Sequence, residues 1–131
     1  CRPREWRRSI FLVAPGDAHL TVALGATGSP IVRLDGAPTP SGCRPSLGPM
    51  FASCAEIYGR HALGVVLSGM GRDGVLGAAR IVEAGGTVMA QDAQSCAVWG
   101  MPGAVAGAGL AAAILSPEQI AHRVAAAVDA R

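Results

Sequence analysis

The stretch ALGVVLSGMGRDG, residues 62–74, decides the fold of this 131-residue chain. Its first six residues, Ala62–Leu67, form a continuous apolar run, which is typical of a strand buried in a parallel sheet. The glycine-rich loop that follows leads to Asp73, a residue suited to the N-cap of a helix. That helix reaches about Ala84 and is stopped by Gly85-Gly86. A buried strand, a loop and a helix in this order predict a parallel α/β unit.

Segments on both sides of this unit predict further strands and helices. Upstream, they are a strand at Ser9–Ala14, an antiparallel hairpin of His19–Leu24 and Pro30–Asp35, and a helix from Ser46 to about Tyr58. Downstream, they are a strand at Thr87–Ala90, a short helix from Pro102, a weak strand at Ala111–Leu115 and a last helix opened by Ser116-Pro117-Glu118-Gln119. These elements predict a three-layer α/β fold whose sheet is mainly parallel, with the His19–Asp35 hairpin as its antiparallel part. Asp73 is expected just beyond the carboxyl end of the Ala62–Leu67 strand.

The composition narrows the class of protein. Half of the residues are hydrophobic and 15% are charged, which favours one ordered domain. A net charge of +2 is too small to indicate a nucleic-acid partner, and no apolar run approaches the roughly 20 residues of a membrane span. The four cysteines show no C-x-x-C spacing and no nearby histidine, so we expect no metal site. Free thiols favour a cytoplasmic protein.

The loop before the predicted helix has three local interpretations. Residues 69–74, GMGRDG, match G-x-G-x-x-G, and Asp92 at the end of the next strand is placed like a ribose-binding acid, which is typical of dinucleotide binding. Against this, Asp73 puts a carboxylate where two phosphates would lie. Alternatively, Asp73 orients a histidine as the acid of a Ser-His-Asp triad. In the third interpretation Asp73 only caps the helix, and the local sequence leaves all three open.

Five segments, taken in order, resemble the chemotaxis protein-glutamate methylesterase (CheB) family. VAPGDAHL (13–20) is similar to the family's A-P-G-D-x-H-L motif, and RPSLGPMFAS (44–53) is similar to its R-P-S-x-x-x-x-F-x-S motif. LSGMGRDG (67–74) is similar to L-T-G-M-G-x-D-G, AQD (90–92) to A-Q-D/E, and WGMP (99–102) to V-Y/W-G-M-P. Ser68 replaces the usual threonine of the third motif. Each segment alone is weak, whereas the ordered set is highly specific.

The resemblance implies a hydrolase that acts without a cofactor. Enzymes of this family hydrolyse glutamate γ-methyl esters on the cytoplasmic helices of methyl-accepting chemotaxis receptors, and they often deamidate receptor glutamines. It implies that Asp73 is the acid of the catalytic triad and that Met70 lies beside the active site, where its backbone N–H helps to hold the oxyanion. The implied partners are receptor helices and a regulatory receiver domain. The dinucleotide interpretation becomes the least favoured.

Two family motifs are missing. The family's nucleophile lies in a G-x-S-T-G-G turn and its base in a Q-H-M segment, both upstream of the A-P-G motif, and residues 1–131 contain neither. His19 belongs to a matching segment, and we expect a structural role for it. We therefore interpret residues 1–131 as the C-terminal portion of a methylesterase catalytic domain, because CRPREWRR resembles an arbitrary start and Asp73 is present. The alternative is a catalytically dead relative that serves as a binding module.

Overall fold

The computed structural model describes residues 11–39 and 42–129. Its strands are β1 (His19–Leu24), β2 (Pro30–Asp35), β3 (Leu63–Val66), β4 (Thr87–Gln91) and β5 (Ala113–Leu115). Its α-helices are α1 (Leu47–Tyr58), α2 (Gly74–Glu83), α3 (Met101–Gly107) and α4 (Pro117–Asp129), and a 3-10 turn at Gly59–His61 connects α1 to β3. The predicted α/β class, with a parallel sheet and an antiparallel pair, is confirmed.

The parallel sheet has the order β3-β4-β5. The central strand β4 is the most buried, with Val88 and Ala90 fully inaccessible, because it has a neighbour on both sides. The sequence predicted a buried strand at Ala62–Leu67, but Leu63 is 36% exposed. The reason is that, within the described residues, β3 has a paired strand on one edge only.

The β1–β2 hairpin forms exactly over the predicted residues, with His19 opposite Asp35 and Leu24 opposite Pro30. The sequence predicted that this hairpin is the antiparallel part of the main sheet. Instead, it forms a two-stranded sheet of its own. The backbone N–H of Val22 donates a hydrogen bond of 3.0 Å to the Ser53 hydroxyl on α1. The hairpin is therefore fixed to α1, and this places His19 near the start of that helix.

The strand predicted at Ser9–Ala14 is wrong in its described part. Residues 9 and 10 lie outside the described residues, and Phe11–Ala14 belong to no strand. Phe11 is 90% exposed and Val13 76% exposed. An apolar sequence becomes a strand only where a second backbone pairs with it, and none of the described strands pairs with this segment.

The core lies where α1 and α2 meet β3 and β4. Its buried members are Phe51, Ala55, Ala62, Val66, Ala78, Ile81, Val88 and Val105. The two helices approach closely because glycines face each other: a Cβ at Gly77 would lie 2.7 Å from the Phe51 Cβ and 3.0 Å from the Gly48 carbonyl oxygen. This close approach holds α1 against the N-terminal half of α2.

The predicted helix ends are confirmed at two places. Gly85, with a φ of +87°, follows the C-cap of α2 in the left-handed region that favours glycine. At α4, the Ser116 N–H donates to the Gln119 side chain (3.1 Å) and the Gln119 N–H donates to the Ser116 hydroxyl (3.3 Å), a reciprocal capping box. Among the described helices, none has both the length and the apolar content that crossing a membrane requires.

The α1–α2 contact generates a stability prediction. Gly77→Ala is expected to lower the free energy of unfolding by about 1–3 kcal/mol, because the added methyl group overlaps α1. Gly107→Ala is the control: a Cβ there meets no heavy atom within 4 Å, and alanine favours a helix by up to about 1 kcal/mol. Denaturant unfolding of both variants measures the difference. Equal stability of the two would show that α1 and α2 do not pack this tightly.

Candidate active site beyond the carboxyl end of β3

Asp73 lies in the N-cap position of α2, after the loop that leaves β3, as the sequence predicted. Its side chain makes no capping bond to α2, which corrects the expectation of a simple helix cap. The carboxylate instead accepts hydrogen bonds from the start of the neighbouring helix α1: one from the Ser46 hydroxyl and one of 2.6 Å from the Leu47 N–H. A carboxylate at a helix N-terminus is stabilised by the helix dipole and satisfies otherwise unpaired N–H groups.

His19 supports this arrangement from the hairpin. The side chain is 1% exposed, its Nδ1 accepts a hydrogen bond of 2.9 Å from the Ser46 N–H, and its Nε2 donates one of 2.8 Å to the Ala37 carbonyl oxygen. Because Nδ1 must accept, the ring is the neutral tautomer with its proton on Nε2. Both nitrogens are engaged in holding backbone, which is the structural role expected for His19.

The glycine loop between β3 and α2 is attached to the segment that precedes α3. The Gly69 N–H donates to the Val98 carbonyl oxygen (3.1 Å), and the Gly69 carbonyl oxygen accepts from the N–H groups of Gly100 (3.1 Å) and Met101 (2.9 Å). A Cβ at Gly100 would lie 2.8 Å from the Gly69 oxygen, so only glycine permits this approach. The third and fifth matching segments therefore lie directly side by side.

Gln91, at the end of β4, binds the start of the same loop through its side chain. It is 5% exposed, and its side-chain oxygen accepts a 2.7 Å hydrogen bond from the Ser68 N–H while its amide donates to the Ser95 carbonyl oxygen at 3.0 Å. The Trp99 indole N–H donates to the Gln91 carbonyl oxygen at 3.0 Å. In the sequence, Gln91 stands out only as part of the AQD segment. The signal that could have identified its role is a polar residue at the end of a buried apolar strand.

Met70 lies in the exposed part of this loop. Its side chain is 80% exposed. Its backbone N–H has no hydrogen-bond partner in residues 11–39 and 42–129. This group is the donor that the resemblance proposes for an oxyanion, and Asp73 follows it by three residues.

Two cavities border Asp73. One, of about 530 Å³, lies between α1, α2 and the residues Thr39 and Cys43. The other, of about 350 Å³, is mostly apolar and reaches from Ala14 to the Val65–Leu67 end of β3. Ser46 and Asp73 line both, so the hydrogen-bonded pair separates two concave surfaces.

The thiol and the phenol on α1 are not activated groups. Burial raises the pKa of the Cys54 thiol, and burial, followed by the charge of Cys54, raises the pKa of Tyr58. The thiolate is the nucleophilic form of cysteine. A raised pKa therefore disfavours Cys54 as a nucleophile at neutral pH.

Comparisons with known proteins agree with the geometry. A family model described as CheB methylesterase matches residues 4–124. The chain is 51% identical over 116 residues to protein-glutamate methylesterase/protein-glutamine glutaminase 2 of Caulobacter vibrioides, with 88% of this chain and 33% of that protein covered. The chain is 55% identical over 116 residues to protein-glutamate methylesterase/protein-glutamine glutaminase 3 of Anaeromyxobacter dehalogenans, again with 88% of this chain and 33% of that protein covered.

A solved structure is similar as well. The catalytic domain of the CheB methylesterase of Thermotoga maritima superposes with a TM-score of 0.81 at 33% identity, covering 89% of this chain and 60% of that domain. This chain thus spans about a third (33%) of the length of the two curated relatives and 60% of the solved domain.

The buried histidine gives the prediction for this site. His19→Leu is expected to destabilise the protein by about 1–3 kcal/mol, because the buried Ser46 N–H is left without its hydrogen-bond partner. His122→Leu, at an exposed position of α4, is the control and should change stability by about 0.5 kcal/mol or less. Thermal unfolding compares the two. Similar melting temperatures would contradict the structural role of His19.

Proposed function

This chain belongs to the CheB methylesterase family, and we propose that it supplies the triad acid, Asp73, to a protein-glutamate methylesterase. In this proposal residues 1–131 are the C-terminal portion of the catalytic domain. The serine nucleophile and the histidine base belong to the preceding portion of a complete enzyme. The single observation that carries the proposal is the carboxylate of Asp73, fixed by α1 beyond the carboxyl end of β3 and bordered by two cavities.

The chemistry requires an acid that does not move. In a Ser-His-Asp triad the aspartate accepts a hydrogen bond from the histidine, selects its tautomer and stabilises its charged form. A carboxylate offers about four acceptor positions, and the bonds from Ser46 and Leu47 set the plane in which they lie. The carboxylate is therefore oriented before the histidine reaches it, which is the preorganisation that such catalysis needs.

The reaction is an acyl transfer. The serine oxygen attacks the γ-ester carbon, the histidine accepts the serine proton and returns it to the departing methanol, and water then hydrolyses the acyl-enzyme by the same steps. The Met70 N–H is assigned to the oxyanion that forms in each step. Deamidation of a glutamine follows the same route, with ammonia in place of methanol.

The proposed substrates are the cytoplasmic helices of methyl-accepting chemotaxis receptors, so the enzyme would act in the cytoplasm. The name of the Caulobacter relative states an activity on protein glutamate and protein glutamine, which supports a side chain of this kind as the reacting group. A receiver domain is the proposed regulatory partner, as in the family that the motifs resemble.

Asp73→Asn, in a complete enzyme that contains these residues, tests the role of the acid. Turnover is expected to fall about 10²–10⁴-fold, because the amide favours the wrong histidine tautomer. The asparagine can still accept from Leu47 N–H through its oxygen and donate to the Ser46 hydroxyl, so the fold should survive. Methanol release from methylated receptor measures turnover.

Ser46→Ala is the matched control for the Asp73→Asn experiment. It removes the hydrogen bond from the Ser46 hydroxyl but keeps the Asp73 carboxylate. It should therefore lower stability by about 1 kcal/mol and lower turnover much less than Asp73→Asn does. Near-normal turnover of Asp73→Asn would contradict the role of triad acid and would show that Asp73 has only a structural role, through its hydrogen bonds to the start of α1.

The 131-residue chain alone should not release methanol from methylated receptor, because it contains neither the nucleophile nor the base motif. Ser68 would be the first residue to consider if it did, yet its hydroxyl both donates to the Val98 carbonyl oxygen (3.2 Å) and accepts from the Val98 N–H (3.1 Å). Demethylation by the purified chain would contradict this division of the triad. The complete enzyme under the same conditions is the positive control.

The alternative, a catalytically dead relative that acts as a binding module, rests on His19, whose ring nitrogens are both engaged. The coding sequence upstream of residue 1 separates the two proposals. A G-x-S-T-G-G turn and a Q-H-M segment there would support the esterase, and their absence would support the binding module.

A further inference from the structure

Two arginines and a leucine are spaced four residues apart along α2 and the loop that precedes it. Arg72, Leu76 and Arg80 form this arginine stripe, and all three are exposed, Leu76 by 70%. Leu76 and Arg80 lie on one side of α2, since residues four apart share a helix face, and Arg72 lies in the loop just before this helix. Neither guanidinium has a carboxylate or another hydrogen-bond partner within the part of the chain that the structure describes.

The stability of α2 does not account for the whole stripe. Arg80 lies in the last turn of α2, where the helix dipole favours a cation, whereas Arg72 lies beside the N-terminus, next to the N-cap residue Asp73. A 70% exposed leucine between two arginines also adds nothing to the core. A large apolar side chain that plays no part in the core is expected at a functional surface.

The stripe forms one wall of the 530 Å³ cavity beside Asp73. The floor of this cavity consists of small residues where α1 and α2 meet: Gly48, Ala52 and Gly77. Such a groove is too small to enclose a helix, whose diameter is about 10–12 Å, but it accepts the side chains along one face of a helix. Ser46 and Asp73 line the same groove, so an occupant would lie beside the proposed triad acid.

We propose that this groove docks an acidic helix of the substrate protein, with carboxylates on that helix paired to Arg72 and Arg80 and an apolar side chain against Leu76. This inference rests on the proposed function and names the recognition surface of the same site. The charges decide the occupant: the wall is cationic, whereas a substrate helix that carries glutamate residues is anionic. Arg72 and Arg80 line the same wall of the groove, so each can pair with a carboxylate on one face of the docked helix.

Binding tests this proposal without relying on turnover. The probe is the cytoplasmic fragment of a methyl-accepting receptor in its all-glutamate form, titrated into a complete enzyme that contains these residues. Arg72→Gln/Arg80→Gln is expected to weaken binding about 2- to 30-fold, the range for two partly exposed ion pairs. The same fragment with glutamine at those positions should bind parent and variant alike. The affinity of the parent should fall as salt is raised, and that of the variant should fall less.

Arg123→Gln is the matched control, since Arg123 is exposed on α4 and lies outside the groove. It should bind the glutamate fragment as the parent does. Arg80→Lys keeps the charge and should retain most of the binding, which separates a lost charge from a disturbed fold. No binding by the parent, equal binding by parent and double-glutamine variant, or an equal loss in Arg123→Gln would each overturn the proposal.

Activity assays then distinguish a failure of docking from a failure of the proposed function. The double-glutamine variant should lose kcat/KM on the methylated receptor relative to kcat/KM on a small neutral glutamate methyl ester. An equal loss on both substrates would contradict a docking role. An inactive parent that still binds the fragment through Arg72 and Arg80 would support the docking surface and refute the esterase.

Discussion

The carboxylate of Asp73 joins the start of α1 to the start of α2, and the arrangement of the site depends on this contact. It accepts from the Ser46 hydroxyl and the Leu47 N–H, while the Ser46 N–H donates to His19 and His19 donates to Ala37. Three segments that are distant in sequence are thereby fixed by one chain of hydrogen bonds. His19 and Ser46 are buried and Leu47 and Asp73 are half-buried, so an unsatisfied group among them would be costly, and the chain has little freedom to rearrange.

A second set of contacts holds the opposite end of the glycine loop. Gly69 is bonded to the segment before α3, and Gln91 binds Ser68 from the end of β4. The loop is therefore anchored at Ser68–Gly69 and at Asp73, and Met70 and Arg72 lie between these anchors. A glycine-rich loop held at both ends has backbone N–H groups at defined positions, which suits the proposed stabilisation of an oxyanion.

The α1–α2 interface links stability to the proposed function. Gly48 and Gly77 allow the two helices to approach, and the same residues form the floor of the groove beside Asp73. A larger side chain at Gly77 would separate the helices and fill the groove at once. Close packing thus produces both the position of Asp73 relative to α1 and the shape of the surface on which we propose that substrate docks.

The sequence by itself determined the local elements and the family. The hairpin, the four helices and the β3–α2 unit follow from periodicity, glycine stops and caps such as Ser116 with Gln119, because these signals act within a few residues. The position of Asp73 beyond β3 followed in the same way. The direction of its carboxylate did not, since a helix cap read from sequence assumes the nearest helix, whereas Ser46 and Leu47 are 26 or more residues away. Likewise, the apolar run at Phe11–Ala14 predicted a strand, but none of the described strands pairs with it. Pairing depends on a second backbone and is not encoded locally.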